Sequence, residues 1–137
     1  MFSIKDYEVE LLEVIQETPE VKLFRFSYPK DFNFYPGQFI MLSFINDPKI
    51  KYARAYSLSS SPENKEFIEI GLNKIAKFTT KLFNTKPGTK MKIKGPCGKF
   101  FFNKETKQDL VLIGAGTGIT PLVGLTRYAT DKNLKNK

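Results

Sequence analysis

Histidine is absent from this 137-residue chain, and Cys97 is its one cysteine. The first absence removes imidazole as general base, haem ligand or zinc ligand. The lone cysteine excludes an internal disulfide and a cysteine-held iron–sulfur cluster within this chain, and it agrees with a reducing compartment. Arginine is scarce too, with three copies among 22 lysines and arginines. No apolar run approaches the ~20 residues of a membrane helix. The N-terminus, MFSIKDYEVE, lacks the charged start and apolar stretch of a signal peptide. A cytoplasmic protein is expected, and no metal site. Chemistry in such a chain has to come from a bound cofactor or from carboxylates and hydroxyls.

What is present is a globular composition. Hydrophobic residues are 41% and aromatics 14%, which suits one domain with a real core and not a disordered chain. The formal net charge of +8 favours anionic partners: nucleic acid, nucleotides or an acidic protein. The lysines are scattered, however, and alternate with apolar residues as in MKIKG (91–95), the pattern of solvated strand faces.

The N-terminal part reads as short strands. YEVELLEVI (7–15) and VKLFRFSY (21–28) alternate or nearly alternate. In YPGQFIMLSF (35–44), Pro36-Gly37 suits the centre of a type II turn, and a strand follows. FIEIGL (67–72) and MKIKG add two more, and RAYSLSS (54–60) reads as a strand end before the turn SPEN. Short strands between turn signals predict a small antiparallel barrel or sandwich. AKFTTKLFN (76–84) breaks the pattern: Phe78 and Leu82 stand four apart, and Pro87 and Gly88 stop a short helix. That helix either caps a barrel mouth or offers its free N–H groups to an anion.

After a polar stretch, NKETKQD (103–109), the composition changes. LVLIGAGTGITPLVGLTRYA (110–129) reads as a continuous apolar strand, a glycine-rich turn and a helix. Strands of that kind are buried on both faces in parallel α/β sheets, so a second domain of another class is expected to begin here. GAGTG (114–118), between strand and helix, has the geometry of a phosphate cradle, although it is neither an intact GxGxxG nor a P-loop.

RAYS poses a chemical question of its own, because it spends one of three arginines on a strand end. Arginine is a bidentate fork for phosphate, tyrosine a ring to stack on, and the hydroxyls are donors for a heterocycle. RAYS, a threonine-bearing helix start, GPCGKF (95–100) and GAGTGITP (114–121), in that order, resemble the ferredoxin–NADP reductase-like flavoprotein family. The resemblance runs from PGQF to Pro121. It implies a mainly β chain: a six-stranded antiparallel Greek-key barrel with one short helix that binds FAD, or FMN in some branches. The first strand and helix of an α/β domain for NADH or NADPH would follow. The flavin-binding domain is placed at 1–104 and the NAD(P)-binding part at 110–137.

By that resemblance, Arg54 would pair with the flavin phosphate, with Ala55 beside it on the cofactor. Tyr56 would lay its ring on the isoalloxazine, and Ser57 would hydrogen-bond near N5, making these two the catalytic candidates. Lys77, Phe78 and Thr79 would bring helix N–H groups to the pyrophosphate. Thr117 would lie where the domains meet, near the flavin or the nicotinamide nucleotide, with Gly114, Gly116 and Gly118 around it. Gly95, Pro96 and Gly98 read as a turn ending the barrel, with Cys97 a filler within it. Ala76 stands where the family usually has glycine. Only the residues up to Lys137 follow Gly118, fewer than the ~30 of one βαβ unit. The nucleotide domain is therefore expected to be incomplete and the chain alone incomplete for turnover.

The implied activity is electron transfer between NAD(P)H and a one-electron acceptor, such as an acidic ferredoxin or flavodoxin or an iron–sulfur partner. Self-association through the incomplete domain is a further expectation. Two alternatives stand beside it. One is a small basic β-barrel binding single-stranded nucleic acid, with lysines as funnel and phenylalanines as stacking platform. The other is a truncated remnant without catalysis.

Overall fold

Six stretches of alternating apolar and polar residues form strands in the computed structural model, which describes residues 1–103, 105 and 107–135. They are β1 (Lys5–Gln16), β2 (Val21–Ser27), β3 (Phe39–Phe44), β4 (Arg54–Ser57), β5 (Phe67–Asn73) and β6 (Lys90–Cys97). Two helices follow the pattern of the sequence, α1 (Lys77–Phe83) and α2 (Ile119–Asp131), the latter entered through a 3-10 turn at Gly116–Gly118. Lys104, the last residue of the expected barrel domain, Thr106 in the expected linker, and residues 136–137 of the expected second domain lie outside the described residues.

The strands run in the spatial order β4-β3-β6-β1-β2-β5, and every ladder is antiparallel. Only β1–β2 and β3–β4 join chain neighbours; the other ladders pair strands distant in sequence, as in Greek-key barrels. Pro36-Gly37 does form the expected turn. Gln38 N–H donates to the Tyr35 carbonyl at 3.1 Å, and Gly37 takes φ +99°, which only glycine adopts without strain.

Side chains two apart fill the barrel: Val9 and Leu11, Phe24 and Phe26, Ile40 and Leu42, Ile68, Ile70 and Leu72, Met91 and Ile93. The imperfect alternation of YEVELLEVI has a physical cause. The β1–β2 register slips between Leu11 and Glu13, a bulge that leaves Leu12 exposed and returns Val14 to the core. From α1, Phe78 and Leu82 plug the barrel, as the four-residue spacing required.

Two expectations need correction. Gly95, Pro96 and Cys97 are not a turn: β6 continues to Cys97, with Gly95 opposite Lys5 and Cys97 opposite Phe39. Proline is tolerated there because the β3–β6 register is irregular between Phe39 and Met41. The turn begins only at Gly98, with φ +97°. The apolar stretch 110–113 is not a strand. No strand among the described residues lies beside it to form a ladder, so Val111 and Ile113 are left 86% and 88% exposed.

The sheet's two edges, β4 and β5, meet without a ladder, and the barrel is closed there by a different device. Past β4, Ser59 N–H donates to the Glu69 carbonyl at 2.9 Å, and Glu69 N–H donates to Ser60 Oγ at 3.0 Å. The Glu69 side chain points away from the barrel interior yet is fully buried beneath α2. Its Oε1 accepts from Ser59 Oγ at 2.8 Å and Arg127 Nη1 at 2.6 Å; its Oε2 accepts from Arg25 Nε at 2.8 Å. Arg25 is its cross-strand neighbour on β2, and Arg127 comes from α2. Burial pushes this carboxyl upward, but the hydrogen bonds from Arg127, Arg25 and Ser59 outweigh it and hold the group below its ordinary range.

α2 is drawn close at the same place. A Cβ on Gly124 would lie 2.6 Å from the Leu58 carbonyl oxygen, so the helix backbone rests on the segment that follows β4. Leu125 and Tyr128 then pack with Phe102 in a small second core.

A buried ion pair that loses one member leaves the other uncompensated. Glu69→Gln should lower unfolding free energy by about 3 kcal/mol at neutral pH, read by urea denaturation. Because the folded carboxyl is held low, its contribution is present above the unfolded pKa and fades as pH falls through the folded value. The gap between the two proteins should therefore close on acidification; a pH-independent gap would show that charge is not what Glu69 contributes.

Candidate functional site

The missing β4–β5 ladder leaves a cleft. Leu58 N–H donates to the Gln38 carbonyl toward β3, while Ser59 N–H turns the opposite way to Glu69. Antiparallel strands alternate in this manner, so the backbone groups of Ala55 and Ser57 face β5. There β5 stands off, and a cavity of about 220 Å³ opens between the strands. Ala55, Tyr56 and Ser57 form one wall, Gly71, Leu72 and Asn73 the other, with Ile75 and Thr79 at the α1 end and Thr117 and Thr120 from the α2 side.

Five of the motif residues read from the sequence thus meet: Ala55, Tyr56, Ser57, Thr79 and Thr117. The Tyr56 ring is half-buried and rests in an aromatic column, 6.1 Å from Phe78, which lies 6.0 Å from Tyr52 and 4.9 Å from Phe44. Burial pushes the Tyr56 phenol up to about 12, against the opposing pull of Arg54, so it is neutral and offers a ring and a proton donor, not a base. Arg54 lies outside the cavity. It is exposed, its guanidinium 4.8 Å from the centre of the Tyr52 ring.

At α1 the roles divide. Phe78 is buried in the core, so only its backbone can meet a ligand. Thr79 Oγ1 accepts from the N–H groups of Ile75 and Ala76, both at 2.9 Å, and ties the turn that enters the helix. The N–H groups of Lys77, Phe78 and Thr79 form the first turn and have no acceptor within the helix. Ala76 is extended, at φ −146°, a conformation any residue adopts, so this position does not require glycine. Lys77 Nζ reaches away to the Lys49 carbonyl at 3.0 Å.

In the 114–118 turn, Gly116 has φ +54°, and the space around Gly116 and Gly118 is open. Gly114 instead packs against Leu122 and Ile119 of α2. The cavity therefore receives Thr117 but not the three glycines. Cys97 is half-buried, and burial pushes its thiol up, which fits a packing role.

Gly71, Asn73, Ile75 and Thr120 were not singled out from the sequence. Two carried signals: a glycine inside a strand marks close approach of something to the backbone, and Thr120 stands three residues after Thr117, on the same helical face. A larger concavity lies elsewhere. It is an open groove of about 980 Å³ between α1 and the β3–β4 loop, bordered by Lys49, Lys81, Lys86 and Lys90. Lys77 is the one motif residue it contains, so the smaller β4–β5 cavity is the better candidate site.

The cavity, with its half-buried ring and the first turn of α1 beside it, sits on a Greek-key barrel. Residues 8–102 match the oxidoreductase FAD-binding domain family, and the chain belongs to it. It is 35% identical over 135 residues to the sulfhydrogenase 1 subunit gamma of Pyrococcus furiosus, covering 94% of this chain and 45% of that one. It is 27% identical over 129 residues to the ferredoxin–NAD(P)(+) reductase component of the naphthalene 1,2-dioxygenase system of Pseudomonas putida, covering 92% and 38%. Among solved structures, the ferredoxin reductase in carbazole 1,9a-dioxygenase superposes with a TM-score of 0.81 at 28% identity, covering 93% of this chain and 40% of that one. The chain spans less than half the length of these relatives.

Thr79 supplies a local test of the α1 entry. Thr79→Val removes the acceptor shared by two backbone donors and should cost about 1 kcal/mol, as loss of a helix cap does. Thermal unfolding reads the loss, and amide exchange should accelerate at Ile75 and Ala76 in particular. Unchanged exchange at those two amides would show that the hydroxyl does not organise the turn.

Proposed function

We propose that this chain is the FAD-binding module of an oxidoreductase that moves electrons between NAD(P)H and a one-electron acceptor. The observation that carries the reading is the β4–β5 cavity, which brings Ala55, Tyr56, Ser57, Thr79 and Thr117 together from three separate segments. The residues present suit a flavin. Backbone groups of Ala55 and Ser57 face the cavity as partners for the polar edge of a heterocycle, and Tyr56 offers a neutral ring for stacking. Arg54 and the first-turn N–H groups of α1 supply donors for the phosphates. FAD held there would supply the redox chemistry, hydride uptake and single-electron release. The protein's part would be to hold that ring with Tyr56, to offer it the Ser57 hydroxyl, and to keep Thr117 on the side of the cavity where a nicotinamide would approach.

The flavin domain is assigned to 1–104 and the NAD(P)-binding part to 110–137, with Gly114, Gly116, Thr117 and Gly118 at the nucleotide phosphates. An acidic electron-transfer protein suits the net charge of +8 as acceptor. The exposed run 111–113 supports an apolar contact with a further chain or domain. Single-stranded nucleic acid is not favoured. Phe24, Phe26, Phe32, Phe34 and Phe78 are core residues and not a surface platform, and Lys81, Lys90, Lys92 and Lys132 pair with acidic side chains. No helix among the described residues is long and apolar enough to cross a membrane.

Titration of the folded chain with FAD should quench flavin fluorescence. Arg54→Ala should weaken that binding by about 1.5–3 kcal/mol, the scale of a charge-assisted hydrogen bond, whereas Lys107→Ala should leave it nearly unchanged. Absence of FAD binding by the folded chain would overturn the function; equal losses for the two variants would assign binding to diffuse charge and not to a phosphate fork.

A further inference from the structure

The cavity has two walls that belong to different parts of the chain, and one cluster ties them together. Ser57 of the β4 wall is followed by Leu58 and Ser59, whose backbone is held by Gln38, Glu69 and Arg127. Thr117 and Thr120, on the α2 side of the cavity, begin the helix that carries Gly124 and Arg127. Gly124 rests on the Leu58 carbonyl, and one turn later a single nitrogen, Arg127 Nη1, donates both to the Ser59 carbonyl at 2.9 Å and to Glu69 Oε1 at 2.6 Å. The β4 wall and the α2 side of the cavity are thus pinned to each other two residues from Ser57.

Resting on the flavin reading above, we propose that Arg127 and Glu69 are positioning residues for the flavin site: their ion pair sets how far Thr117 and Thr120 stand from Tyr56 and Ser57. Neither residue lines the β4–β5 cavity. They act through the backbone of 58–60 and through the tilt of α2. The reason is geometric. A helix held at one point by close contact at Gly124 can still pivot, and the charged tether at Arg127 removes that freedom on the side facing β5. Because both bonds come from one nitrogen, a lysine ammonium, one bond shorter, can offer its protons to the same two acceptors after a small shift, whereas an apolar side chain of similar length offers none.

The test uses the whole chain saturated with FAD, reading the visible circular dichroism of the bound flavin beside its dissociation constant. The induced dichroism reports the asymmetry around the ring, which a loss of global stability alone does not alter. Arg127→Met should change the visible band and weaken FAD binding several-fold, and Arg127→Lys should restore both toward the unaltered protein. Gly124→Ala, which pushes the helix off the Leu58 carbonyl with the ion-pair residues intact, should change the band in the same sense. An unaltered spectrum in both Arg127→Met and Gly124→Ala overturns the proposal, and so does Arg127→Lys behaving like Arg127→Met. Should Arg127→Met not fold, the lysine and alanine variants decide by the same readings. Failure of the unaltered chain to bind FAD is a separate result, which removes the flavin reading and this inference with it.

Discussion

A buried carboxylate, Glu69, does at the last seam of this barrel what a hydrogen-bonded ladder does at the other five junctions. Six strands must curl until β4 faces β5, and a complete ladder there would leave no room for a ligand. The chain meets both demands by separating them along the seam. Near Ser59 and Ser60 the edges are stitched through Glu69; at Ala55 and Ser57 they part. The carboxylate remains charged in the interior because two guanidiniums and a hydroxyl surround it, and burial with only one partner would be far less favourable. Two of the three arginines in the chain are committed to this one group.

Much of the barrel was legible from periodicity. Spacing of two in FIEIGL and MKIKG, and of four between Phe78 and Leu82, reports directly which side chains face inward. The bulge after Leu11 appeared only as imperfect alternation, and the extent of β6 was hidden because Gly95 and Pro96 are turn residues in most settings. Pairing was the information absent from local sequence: LVLI has every property of a strand, and it has no ladder partner among the described residues.

The candidate site was legible where its residues form contiguous motifs, as in RAYS and KFT. Its opposite wall was not, since Gly71 and Asn73 acquire their meaning only from what β4 does across the seam. Arg25 and Arg127 were equally silent. An isolated arginine on a strand or helix signals nothing until its carboxylate, 44 or 58 residues away, is placed beside it.

Tyr56 stands on Phe78, and Phe78 is also the side chain by which α1 plugs the barrel. The surface offered for stacking is therefore the outermost layer of the hydrophobic core. Core side chains are already fixed by close packing when the protein folds, so the rotamer entropy of this ring is surrendered during folding and not during association. On the proposed reading, a flavin would meet a face that is ordered before it arrives. The same continuity means that substitutions beneath the ring, such as at Phe44 or Phe78, would reach the Tyr56 face as changes in rigidity, with no atom of that face replaced.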